Sequence, residues 1–211
     1  MNRIVRSRMI GNLALCLSLA GCGAFSPRPD PSRFFTLTAF SQAEAVVAKD
    51  ERNPGGVSLG IGPIKLPGYL DRQEIVTRTG QNRFDVSEYD RWAEPLDENF
   101  TRVLTQNLSA LLRPERISSY PWPVDKKPNY QVEIEVLRFE ANAKQEIQLS
   151  ARWAVIDDIC KEASNLNKSH LSRPAKEKST DASVSALSET VADLSREIAK
   201  TVIAIDRQRK A

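Results

Sequence analysis

Cys22 is the residue best set up for chemistry in this 211-residue chain. It closes Leu19-Ala20-Gly21-Cys22, which looks like a bacterial lipobox. Small residues lead to a cleavage point between Gly21 and Cys22, where a thiol can take a diacylglycerol in thioether linkage. Arg3, Arg6 and Arg8 precede an apolar run from Met9 to Ala20. That run fits the roughly 7–15 residues of a signal-peptide core and falls short of the ~20 that span a bilayer. Residues 1–21 are therefore expected to be a lipoprotein signal peptide, with Cys22 acylated as the first mature residue. At about 0.8 kcal/mol per buried CH₂, two or more acyl chains anchor a protein stably where one does not. The competing reading is an ordinary secretory signal cut near Ala20, leaving Cys22 unmodified. Apart from the covalent lipid on Cys22, the sequence calls for no cofactor.

Other reactive residue types lack the company their chemistry needs. Gly56-Val57-Ser58-Leu59-Gly60 matches the G-x-S-x-G pattern of serine hydrolases, which requires a sharp strand-to-helix turn and a histidine base. Here Ile61-Gly62-Pro63 follows, which cannot start a helix. Ser58 sits inside an alternating strand, where Gly60 would serve a bulge or a close backbone approach. His170, the only histidine, lies in a polar stretch and cannot build a metal site alone. Asp157-Asp158 reads as a turn after a strand, and Cys160 as an inert thiol. No catalytic or metal-binding constellation emerges, so the chain is not expected to be an enzyme.

The full chain holds 30 Lys+Arg and 27 Asp+Glu; removing the three signal arginines leaves both at 27. A neutral mature domain lacks the basic stripe expected of a nucleic-acid binder. With Cys16 lost with the signal and Cys22 acylated, Cys160 has no partner for an intramolecular disulfide. Residues 22–32, with Pro27, Pro29 and Pro31, read as an extended tether reaching roughly 30 Å.

A single domain over residues 33–206 is expected to follow. Arg33–Thr38 and Val57–Ile61 read as strands, the second stopping at Gly62-Pro63. Glu74–Thr79 and Arg83–Ser87 form a hairpin around Gly80-Gln81-Asn82. Glu94–Leu112 is a helix with Pro95 at its first position and Leu96, Phe100, Val103, Leu104, Leu108 and Leu111 on one stripe. Tyr130–Val136 and Ile147–Val155 alternate apolar and polar residues and should pair as a long hairpin. The polar residues 157–180 read as a flexible excursion. A last helix, capped by Asp181, carries Val184, Leu187, Val191, Leu194, Ile198, Val202 and Ile205. That stripe could pack on the chain's own sheet or seam two subunits. The expected fold is α+β: one domain with a mixed, mostly antiparallel sheet and two long amphipathic helices packed on it.

Leu66-Pro67-Gly68-Tyr69-Leu70-Asp71-Arg72, Glu74-Ile75-Val76 and Arg91-Trp92-Ala93-Glu94-Pro95-Leu96 occur in an order that resembles the PqiC-like auxiliary lipoproteins of ABC-type transport systems. The likeness runs from Cys22 to about Leu112 and returns at Leu194–Ala199. It implies a lipoprotein on the periplasmic face of the outer membrane, docking an MCE-domain periplasmic protein and its ABC transporter in lipid transport. Self-association into a homo-oligomer would suit the end of a tunnel. Such a role asks for a binding face, for which Leu66, Tyr69, Leu70 and Arg72 are the candidates. The other reading has Tyr69 and Leu70 filling their own core, with Arg72 paired to Glu74 or Glu94. A different function class stays open: a lipid carrier holding an acyl chain in its own cavity.

Overall fold

The structure is a computed structural model that describes residues 29–40, 57–114, 116–157, 162–163 and 166–211. Residues 1–21, expected as a signal peptide, lie outside the described residues, as do Cys22 and Cys160. From Ser32 onward the chain forms one compact α+β unit. Its strands are β1 (Arg33–Phe35), β2 (Ser58–Lys65), β3 (Glu74–Gly80), β4 (Arg83–Trp92) and β5 (Arg116–Ser119). They continue with β6 (Tyr130–Asn142), β7 (Glu146–Asp157), β8 (Glu162–Ala163) and β9 (Asn167–Pro174). The helices are α1 (Leu96–Leu112) and α2 (Thr180–Lys210).

Among the described residues, all nine strands join one mixed sheet. The long β6–β7 hairpin is its spine, paired from Tyr130↔Asp157 to Ala141↔Ile147. The other edge of β6 is shared: β2 runs parallel to its first half and β3 to its last residues. Period-two burial along β7 puts Ile147, Leu149, Ala151, Trp153 and Val155 on the helix side. Against them lie Phe100, Val103, Leu104 and Leu108 of α1, and Val184, Leu187, Val191, Leu194, Ile198 and Val202 of α2. At about 1.5–3 kcal/mol for each large apolar side chain removed from water, these two stripes dominate the core. The α2 stripe is thus buried within its own chain, so a subunit seam would have to use another surface.

Several expectations are corrected. β2 does not stop at Gly62-Pro63: the register shifts between Ile61 and Ile64, Gly62 takes φ 115°, and the strand runs on to Lys65. A bulge absorbs what a turn was expected to end. Pro95 caps α1 from outside rather than opening it. Ser179, not Asp181, caps α2, accepting from the Ala182 N–H at 3.1 Å. The stretch 157–180, expected as a flexible excursion, contributes β9, registered with β7 from Glu146↔Pro174 to Trp153↔Asn167. Leu171 apart, its inward positions are polar, which hid the strand from a hydrophobicity reading. Ser169 accepts from Trp153 Nε1 at 2.8 Å, and Arg173 forms ion pairs with Glu189 and Asp193 of α2.

β1 is also shorter than expected, ending at Phe35 where it runs parallel to β4. Beyond it the backbone is held by side chains instead of a ladder. Leu37 N–H donates to Asn99 Oδ1, Thr38 N–H to Ser188 Oγ and Phe40 N–H to Asn107 Oδ1, each at 3.1 Å. Asn107 Nδ2 in turn donates to Ser195 Oγ. Both asparagines are fully buried on α1. They satisfy backbone donors that would otherwise cost about 1–3 kcal/mol each when buried.

Candidate functional site

After β2 the chain makes a 3-10 turn over Gly68–Leu70, closed by Leu70 N–H donating to Pro67 O at 2.9 Å. Twenty residues later, the lead-in to α1 passes beside it. Trp92 N–H donates to Gln73 O at 2.6 Å and ties the two segments together, while Ala93 N–H donates to Phe35 O at 2.8 Å. Between them opens a cleft of about 400 Å³. Its apolar walls are Ile64, Leu66, Leu70, Trp92 and Leu96, and Asp71, Arg72, Glu94 and Asp97 are among its polar rim. Gly68 borders the opening, and a Cβ added there would meet nothing within 4 Å.

Behind the turn stands a polar buttress. Tyr69 OH donates to Glu140 Oε2 at 2.6 Å, Arg78 Nε to Glu140 Oε1 at 2.7 Å, and Phe139 N–H to Glu140 Oε2 at 3.0 Å. Arg138 Nε adds a contact at 3.1 Å. The Tyr69 ring stacks on Phe84 with centroids 4.5 Å apart, and the Arg78 guanidinium lies 4.2 Å over that same ring. Burial and the carboxylate raise the Tyr69 pKa to about 12. Burial alone would raise the Glu140 carboxyl, but hydrogen bonds from Tyr69 and Arg78 outweigh it and hold the pKa below the usual value.

The four candidate contact residues therefore divide. Leu70 is buried and Tyr69 half-buried, packed against the core. Leu66 and Arg72 face the cleft, as does one side of Leu70. Arg72 is exposed; Glu94, one of its two suggested partners beside Glu74, is instead bonded by Arg102. Ile64, Gly68, Trp92, Leu96 and Asp97 belong to the cleft but were not singled out as contacts. The Arg91–Leu96 segment was the available signal, because it is one of those that carry the family resemblance.

The residues weighed for catalysis stay apart. Ser58 Oγ donates to Asn129 Oδ1 at 2.7 Å and accepts from Asn129 N–H at 2.8 Å. His170 lies on β9, separated from β2 by β6 and β7, with Nδ1 3.1 Å from Ser150 Oγ. Gly60 does permit a close approach: a Cβ there would sit 2.5 Å from Pro128 Cγ and 2.8 Å from Trp122 Cζ3. Among the described residues, no group of three or more His, Cys, Asp or Glu is placed to hold a metal ion. Among them, too, no helix is long and apolar enough to cross a membrane.

Two solved structures share the fold. An uncharacterized protein superposes with a TM-score of 0.65 at 19% identity, covering 81% of this chain and 98% of its own. A DUF330-family protein from Xanthomonas campestris gives 0.67 at 14% identity, covering 84% and 98%. At those identities the likeness speaks for the fold alone. Among curated proteins no sequence matches this one. The family model described as "ABC-type transport auxiliary lipoprotein component" matches residues 35–199, from the end of β1 well into α2.

Proposed function

Because this chain belongs to the ABC-type transport auxiliary lipoprotein family, we propose that it docks the periplasmic MCE-domain protein of a lipid-transporting ABC system from the outer membrane. Acyl chains on Cys22 moor it there, and the proline-rich residues 22–32 lift the folded domain clear of the lipid headgroups. The observation that carries this reading is the cleft between residues 66–73 and 92–97. An apolar floor with a charged rim is the composition of a protein-binding site. Its lining comes largely from Leu66–Arg72 and Arg91–Leu96, two of the segments that resemble the family.

Gly68→Trp tests the cleft directly, since the new side chain has room to form and would fill the mouth. Cross-linking to the MCE-domain partner should be lost in that variant and kept in Gly80→Trp, on the distant β3–β4 hairpin. Undiminished cross-linking by Gly68→Trp would place docking elsewhere. Cys22→Ser should move the protein from the membrane fraction to the soluble one. Phospholipid co-purifying with the domain would favour the carrier function instead.

A further inference from the structure

A second depression, of about 650 Å³, lies along the outer side of α1 and shares Ile64 and Asp97 with the cleft. It runs past Glu98, Thr101 and Thr105 to Tyr120, which is 55% exposed beyond the end of β5. The last β2–β5 pair is Ile61↔Ser119, so past Ile61 this side of β2 borders the depression rather than a strand. Pro63, which has no N–H, sits in that stretch and discourages simple strand addition. Any occupant must therefore be held by its side chains.

Charge narrows the choice of occupant. Arg102 is committed to Glu94. Among the described residues, Asp71, Asp97 and Glu98 have no cationic partner, and Arg72 is the cation left over on the rim. The joined groove is thus apolar below and acidic above. From Leu96 to Gln106 the helix rises about 15 Å at about 1.5 Å per residue. That is room for about five residues of extended chain at about 3.3 Å each.

We propose that the two depressions form one groove for an extended, cationic segment of the transport partner. An aliphatic side chain sits between Leu66 and Leu96, and lysine or arginine side chains reach Asp71, Asp97 and Glu98. This rests on the docking reading above and specifies what is docked.

The test uses the full-length protein and the soluble domain of the MCE-type partner, with affinity measured at 50 and 300 mM NaCl. Reversing two exposed charges in Asp97→Lys/Glu98→Lys should weaken binding about tenfold at low salt and remove most of its salt dependence. The milder Asp97→Asn/Glu98→Gln pair, which keeps the helix start intact, should lie between this and wild type. Arg72→Glu should strengthen binding, an outcome that damage to the fold would not produce. If Gly68→Trp abolishes binding while the charge variants bind as wild type, the groove is used but its occupant is not cationic, and this proposal falls. If Gly68→Trp also binds as wild type, the docking reading falls with it.

Discussion

Gly60 and Gly68 lie eight residues apart on the same run of chain, yet their surroundings are opposite. At Gly60 the outer face of β2 is sealed by Trp122 and Pro128, and Asn129 staples Ser58 across the strand. At Gly68 the space is empty, although the turn around it is firmly held by the Tyr69–Glu140 buttress. The sealed region looked like a nucleophile motif and is structural. The open region carries no reactive group and is where a partner can fit. Rigidity behind an apolar opening suits docking, because little ordering entropy is lost when something binds.

The largest effect should come from breaking the seal. Gly60→Val places a branched side chain against Pro128 and Trp122 and should cost about 3 kcal/mol, read as a lowered denaturation midpoint. Trp122→Ala in that background should restore part of the loss. Next comes the buttress. Glu140→Gln should cost about 2 kcal/mol, below the roughly 3–5 of a fully buried pair, because Arg78 and Arg138 retain water access.

Tyr69→Phe should cost about 1 kcal/mol, the net worth of one hydrogen bond. Its pH signature sharpens the assignment. Tyr69 has a folded pKa raised to about 12, so its contribution is full below the unfolded value near ~10 and is lost as pH rises toward about 12. Glu140 has a lowered pKa, so its contribution is present above the ordinary carboxyl range and lost as pH falls below it. Tyr69→Phe should flatten the alkaline limb of the stability curve and, because its hydroxyl helps hold the Glu140 carboxyl down, weaken the acid limb as well; an unchanged alkaline limb would contradict the assignment. The smallest effect belongs to Gly68→Trp, expected within about 0.5 kcal/mol of wild type, even as it blocks the cleft. A large loss of stability there would show that the opening is part of the core.

Much of the architecture was legible because its signals are local. The α1 stripe from Leu96 to Leu112 and the alternation of β6 and β7 follow from periods of 3.6 and 2, and burial respects both. Where local chemistry was polar the reading failed. β9 carries Ser169 and Arg173 inward, and only their partners on β7 and α2 make a strand of that stretch. Asn99 and Asn107 interrupt an apolar stripe for a reason that lies about sixty residues away, in the unpaired N–H groups of Leu37 and Phe40.

By itself the sequence determined the helices, the principal strands and a family likeness, because periodicity and motif order are properties of neighbours along the chain. Tertiary structure alone decided that Leu66 and Arg72 face a cleft while Tyr69 turns inward to Glu140. That choice depends on the Trp92–Gln73 hydrogen bond and on sheet register. Both are contacts between distant residues that spacing along a chain does not encode.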